Sequence, residues 1–251
     1  MKKNKLTNLL IIILLSISIF FGLKAYYEYH NLKESEKLYD EIAKIVEAGR
    51  ENNTSSEDME LIEISEYWDL YQRNSDFLAW IKIDGTRVDY PIMHTPNEPE
   101  KYLRKDFNEN YSIPGTIFMD YRNDLNSDNL IIYGHYMENG TMFGDLTKFL
   151  DKDFLESHQI INFDTLESKS EYEIFSVFHD HVRNVDDNSF KYYNVIDIEE
   201  DEYQNVIKIL KDKSEVKVDV DIKEGDQLMM LSTCSYHQKD GRFVVVAHKI
   251  K

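Results

Sequence analysis

The residues best equipped for covalent chemistry lie near the end of the chain. Cys234 is the only cysteine, and it closes the apolar run Leu228-Met229-Met230-Leu231-Ser232-Thr233. A short polar loop follows, and then Arg242-Phe243-Val244-Val245-Val246-Ala247. Apolar runs of this length read as buried strands, and two of them across a short loop read as a hairpin. The hairpin sets Cys234 at the end of one strand beside Arg242 at the start of the next, a thiol facing a guanidinium. A lone cysteine after an apolar strand also serves as a small buried hydrophobe, so the pair alone leaves both readings open.

A thiol is a poor nucleophile until ionised, so a catalytic cysteine needs a proton partner or a cationic neighbour. Eight histidines are available. His135 ends the apolar run Leu130-Ile131-Ile132-Tyr133-Gly134, where the glycine permits close backbone approach and the strand end places the imidazole on a barrel rim. His237, three residues after Cys234, competes by nearness in sequence but sits in a loop. His179 and His181 alternate as metal ligands on one strand face do, but no third ligand accompanies them. His94, His158 and His248 read as loop or surface residues.

Composition narrows the setting. The 251 residues, 42% apolar and 13% aromatic, support a sizeable core. Forty-seven acidic against 29 basic residues give a formal charge of -18. That balance argues against nucleic acid as a partner, because a phosphate backbone is met by clustered Lys and Arg. A single cysteine excludes an intrachain disulfide and thiolate-based structural zinc. No EF-hand loop is present, and no metal or cofactor is expected.

The N-terminus is basic, Met1-Lys2-Lys3-Asn4-Lys5, and an apolar run from Leu6 to Leu23 follows. Its length approaches the roughly 17 to 25 residues of a spanning helix, and no small-x-small cleavage site comes after it. It reads as an uncleaved signal anchor at 6–24 behind a cytoplasmic tail at 1–5, with the remainder outside the cell. A solitary thiol kept in an oxidising compartment points to a reactive group or to intermolecular pairing.

Leu38, Ile42, Ile45 and Val46 fall at helical spacing between Ser35 and Arg50, with Gly49 as a stop signal, and Leu61, Ile64, Trp68 and Tyr71 repeat the pattern. These two helices make a stalk and cap over 25–73. Beyond Asn74 the period changes to two. Strands are predicted at Phe77–Ile83, Arg87–Met93, Thr116–Met119, Leu130–Tyr133, Ile160–Phe163, Tyr172–Phe178 and Val216–Val220, besides the terminal hairpin, which suits an all-β barrel or sandwich. Ile198 to Leu210 is the exception, with Tyr203, Val206, Ile207 and Leu210 at helical spacing.

Several motifs together resemble a known family. Tyr133-Gly134-His135, Asn139-Gly140-Thr141-Met142-Phe143, Leu231-Ser232-Thr233-Cys234 and Arg242-Phe243-Val244-Val245-Val246-Ala247 are similar to those of class B sortases. Trp80-Ile81-Lys82-Ile83-Asp84-Gly85-Thr86, Asp89-Tyr90-Pro91 and the stretch Gly115 to Asn123 support the likeness, which covers Asn74 to the C-terminus. The resemblance implies a mainly β protein: a closed eight-stranded barrel over 74–251 with N-terminal helices and one helix before the last strand pair.

It also implies a membrane-anchored transpeptidase. Such an enzyme cleaves a C-terminal sorting signal of Asn-Pro-x-Thr or related type on surface proteins and joins the new end to a peptidoglycan amine. By the same resemblance Cys234 is the nucleophile, His135 the proton-transfer partner and Arg242 the oxyanion or substrate stabiliser, while Leu103, Phe190 and Ser232 occupy groove positions. Met230 stands where the family motif has threonine, Ser235 where an acid often follows the nucleophile, and the loop to Arg242 is short. Other readings of the same residues are a pilus-polymerising sortase, a cysteine protease of another fold, or a surface binding module with a structural cysteine.

Overall fold

The computed structural model describes residues 2–53, 66–182, 187, 189–235 and 241–251. Helix α1 runs unbroken from Lys2 to Asn53, and a short α2 spans Trp68–Arg73. Eight strands follow: β1 (Phe77–Ile83), β2 (Asp89–Met93), β3 (Ile117–Met119), β4 (Asn129–Tyr133), β5 (Ile160–Thr165), β6 (Lys169–His181), β7 (Leu228–Ser235) and β8 (Gly241–Lys249). Helix α3 (Lys152–Ser157) precedes β5, and α4 (Tyr203–Lys213) lies between β6 and β7.

The strands close into a barrel in the order β1-β2-β3-β4-β7-β8-β6-β5. This is the expected closed barrel, with its helix before the last strand pair. Closure leaves no unpaired edge, and it accounts for a ninth strand that the period-two pattern predicts and the fold omits. Val216 to Val220 is irregular backbone, although Val216 and Val220 are buried. Strand β6 already pairs with β5 and β8, so the segment takes from it the Glu215 N–H bond to the Val177 carbonyl, 2.8 Å, in place of a ladder.

Two helical expectations take a longer or shorter form. The apolar run at 6–24 and the helix expected over Ser35–Arg50 lie on one helix of 52 residues, which passes Gly49 and ends at Asn53. One glycine costs a helix only about 1 kcal/mol, and the burial of Tyr39, Ile42 and Val46 against the barrel outweighs that. The second predicted helix begins at Leu61, outside the described residues in its first part, and its described part is the single α2 segment.

Along α1, Leu9 to Leu23 are exposed and mostly apolar, and this is the one helix among the described residues long and apolar enough to cross a membrane. The same helix then docks. Asn31 Nδ2 donates to the Tyr111 carbonyl at 3.1 Å, and Asn31 Oδ1 accepts from the Ile113 N–H at 2.7 Å. The barrel interior holds Ile81, Ile92, Ile132, Phe163, Leu231 and Val245 among others, Trp80 stacks outside it on Tyr67 with centroids 6.0 Å apart, and Leu228, Met230, Val244 and Val246 face outward under α4. The alternation within β7 and β8 therefore reads as two buried faces, which is why their sequence shows continuous apolar runs.

Candidate active site

Strand pairing assembles the site. β4 and β7 run parallel with Tyr133 paired to Ser232, so His135 and Cys234 each follow that pair by two residues at the same end of the barrel. β7 and β8 run antiparallel, and their register pairs Cys234 with Arg242. β8 in turn pairs Arg242 with Asp180 of β6. Cysteine, arginine and aspartate thus form one row across three neighbouring strands. The Gly134 N–H donates to the Ser232 carbonyl at 3.2 Å, stitching the histidine-bearing strand to the cysteine-bearing one. A Cβ on Gly134 would stand 2.6 Å from the Phe143 ring, so the close approach expected at this glycine is present.

A cleft of about 510 Å³ opens at this end, lined by Leu103, Tyr133, His135, Tyr192, Ser232 and Arg242 among others. That volume lies within the range of ligand sites. His135 is half-buried, and its Nε2–H donates to the Leu103 carbonyl at 2.9 Å. Burial lowers the imidazole below its ordinary value, the Leu103 hydrogen bond opposes this, and the charge of Arg104 adds to the lowering. The Leu103 bond fixes the tautomer, leaving Nδ1 as the nitrogen that exchanges a proton in the neutral ring. Arg242 donates from Nη1 to the Gly241 carbonyl at 2.9 Å.

Of the residues singled out in the sequence, His135, Arg242, Leu103 and Ser232 share the cleft. Cys234 takes its place by register. Phe190 does not line this cleft; it lines a separate depression beside α4 with Asn205 and Val206. His237 lies outside the described residues. His179 and His181 do alternate on β6 but turn to different carboxylates, Glu215 at 2.9 Å and Asp180 at 3.7 Å. Among the described residues no group of three or more His, Cys, Asp or Glu could hold a metal.

His248 is not a loop or surface residue. It is buried in β8, with Nδ1 2.9 Å from Asp226 and Nε2 3.5 Å from Glu173. The barrel's closure covers a strand position that looked terminal in the sequence. His94 is half-buried at the end of β2, where burial lowers its imidazole.

One wall of the cleft has no counterpart in the residue-by-residue reading of the sequence. Arg122 grips Asp120 with two parallel bonds, Nε to Oδ1 at 2.9 Å and Nη2 to Oδ2 at 2.8 Å, and Nη2 also reaches the Tyr193 carbonyl at 2.6 Å. The Tyr133 hydroxyl donates to the same carboxylate at 2.9 Å. Burial pushes the Asp120 carboxyl up, yet Arg122 and Tyr133 outweigh it and hold the group below the ordinary carboxylate range. Opposite, the Tyr192 hydroxyl lies 2.8 Å from Ser232 Oγ, and burial pushes that phenol up to about 12. The Asp-x-Arg spacing after β3 was the available signal for the first group. Tyr192 carried none, because only the fold brings it to β7.

The eight-stranded barrel brings Cys234, His135 and Arg242 to one end by strand register, and known proteins share its fold. A family model described as a sortase domain matches residues 81–250. Sortase B of Staphylococcus aureus is 32% identical over 256 residues, spanning 100% of this chain and 99% of that protein. Sortase B of Listeria monocytogenes is 30% identical over 247 residues, spanning 97% and 96%.

Among solved structures, a Staphylococcus aureus sortase B–substrate complex matches with TM-score 0.75 at 30% identity, covering 87% of this chain and 97% of that one. A sortase B complexed with triglycine matches with TM-score 0.76 at 30% identity, covering 87% and 98%. The chain belongs to the sortase family, in its class B branch. It is accordingly a cysteine transpeptidase of the cell-wall-anchoring kind.

Proposed function

We propose that this transpeptidase is held in the membrane by residues 6–24, with 1–5 in the cytoplasm, 25–73 as stalk and cap and 74–251 as the extracellular catalytic barrel. Its substrates are surface proteins bearing a C-terminal Asn-Pro-x-Thr or related Pro-x-Thr signal, and its acceptor is a peptidoglycan amine. The lysines ahead of the apolar run support the orientation. The relatives solved with a substrate and with triglycine support a peptide donor and an amine acceptor.

In this reading Cys234, as thiolate, attacks the scissile carbonyl. Arg242 donates hydrogen bonds to the oxygen as negative charge builds on it, inside a cleft where such bonds are strengthened. The tetrahedral centre collapses, the C–N bond breaks, and His135 as imidazolium gives its proton to the departing amine. A thioacyl enzyme and a neutral imidazole remain. The incoming amine attacks the thioester, His135 takes its proton, and the C–S bond breaks to restore the thiolate. Leu103 and Ser232 line the groove that receives the peptide.

The observation that carries the reading is the register that pairs Cys234 with Arg242 at the barrel end where His135 opens into the cleft. Burial lowers the His135 imidazole, which disfavours the imidazolium that must coexist with the thiolate. The test is a set of Pro-x-Thr pentapeptides offered to the full-length protein in nanodiscs, with and without triglycine. A shift of product from hydrolysed to glycine-ligated peptide is expected. Hydrolysis at the same rate and yield, whatever the amine concentration, would mark a protease instead.

A further inference from the structure

The two loops that hold His135 in place are both braced by α1, the helix that carries the apolar N-terminal run. One brace acts on the carbonyl to which His135 donates. Tyr39, buried on α1, has its hydroxyl 2.8 Å from the Gly115 carbonyl and 2.8 Å from Thr116 Oγ1. Thr116 is tied back to the preceding turn, its N–H to the Tyr102 carbonyl at 3.0 Å and its hydroxyl to the Lys105 carbonyl at 2.8 Å. Gly115, at φ +61°, lies so close to this turn that a Cβ would stand 2.7 Å from the Leu103 oxygen. That oxygen is the acceptor for His135 Nε2. Hydroxyl, glycine, carbonyl and imidazole are therefore closely packed in one row, with no room for a side chain at the Gly115–Leu103 step.

The second brace acts on the loop after His135. The Tyr39 ring packs edge-on against Tyr90, centroids 5.4 Å apart, and the Tyr90 hydroxyl accepts from the Met142 N–H at 3.3 Å. Met142 pairs with Tyr136 in an isolated bridge, and the Phe143 N–H donates to the His135 carbonyl at 3.1 Å. Glu36, also on α1, accepts from Asn139 Nδ2 in the same loop at 3.0 Å. Met142 holds a left-handed backbone, φ 51°, which a non-glycine residue keeps only when its surroundings impose it.

From these contacts we infer that Tyr39 is a positioning residue for the transpeptidation, through which the anchor helix sets the orientation of His135. The inference rests on the reading of His135 as the proton carrier. Docking of α1 then forms part of the catalytic machinery as well as a tether. Arg104 beside Leu103 acts on His135, and the charged groups that line the same cleft are Glu100, Asp120, Arg122 and Arg242.

The experiment compares full-length wild type, Tyr39→Phe and His135→Gln in nanodiscs, following peptide cleavage across pH, with thermal unfolding of each. Tyr39→Phe keeps the buried ring and loses the hydroxyl. Expected is a fall in kcat of about tenfold, in keeping with the cost of a misplaced catalytic group, with peptide KM little changed. The lower limb of the kcat/KM profile should move to lower pH, because a slackened Leu103 bond ceases to support the imidazolium. A purely structural role would lower the melting midpoint and leave that limb in place.

Wild-type kcat and an unmoved limb in Tyr39→Phe would overturn the inference. Thr116→Val, which removes the other hydroxyl of the pair, reads the same effect if Tyr39→Phe does not fold, and Thr116→Ser should restore it. His135→Gln separates the two claims. Cleavage surviving in His135→Gln sinks the proton-carrier reading itself, whereas an inactive His135→Gln beside an unaffected Tyr39→Phe sinks only the brace.

Discussion

At the scale of single residues, the site sets a planar guanidinium beside a buried imidazole. Arg242 presents a planar fork, whereas Lys presents a point charge. Arg242→Lys should therefore keep peptide affinity near wild type and lower kcat about 10²- to 10³-fold, the range seen when one oxyanion donor is lost. Steady-state kinetics on a Pro-x-Thr peptide check this.

Near-normal cleavage by Arg242→Lys would remove Arg242 from the reaction. Ser232 and Tyr192 are a separate case: a single buried hydroxyl pair at 2.8 Å. Tyr192→Phe leaves the serine hydroxyl buried without that partner, at a cost of about 1–3 kcal/mol in chemical denaturation, and should raise peptide KM.

His135 also links activity to stability. Burial lowers its imidazole, and that of His94, below the ordinary value of 6.5. The unfolded chain therefore binds protons at these sites more readily than the folded one. Stability is full above pH 6.5 and declines as pH falls through the folded values. Urea denaturation between pH 7.5 and 5 should show that decline, and His135→Gln should flatten it. An unchanged slope in the variant would mean that the histidine is not buried as described.

At the scale of elements, the parts of the site supplied by strands were legible and the parts supplied by loops were not. Cys234 and Arg242 could be set side by side because each ends or begins an apolar run, and the β7–β8 register does pair them. His135 could be placed at a strand end for the same reason. Tyr192 and the Asp120–Arg122 pair could not, since their roles depend on which loop crosses which strand. The period-two run Val216 to Val220 misleads because alternation reports burial, and a segment can bury alternate side chains without a ladder. Amide hydrogen exchange should find this run far less protected than β6, β7 and β8. Comparable protection would mean that it is hydrogen-bonded after all.

Helix α1 carries a second element-scale expectation. Ile42 is fully buried against the barrel, and Ile42→Ala should cost about 2–5 kcal/mol in the manner of a core cavity. Because α1 packs beside the His135 loops, the same substitution should depress kcat more than it raises peptide KM.

At the scale of the whole molecule, one continuous helix joins the apolar run to the segment docked on the barrel. The period of α1 was readable in the sequence, but its continuity was not, because the polar and charged residues between Leu23 and Ser35 separate the apolar run from the amphipathic one. What decides the matter is tertiary: Tyr39, Ile42 and Val46 find partners only on the folded barrel.

If one thiol carries the acyl group between peptide and amine, intact mass measurement of the full-length enzyme mixed with a Pro-x-Thr peptide will show an adduct equal to the acyl group of the peptide's N-terminal fragment, mapped to Cys234. The adduct should be absent from Cys234→Ala and discharged when triglycine is added. Cleavage of the peptide with no adduct on Cys234, or with the same rate in Cys234→Ala, would contradict that role of the thiol.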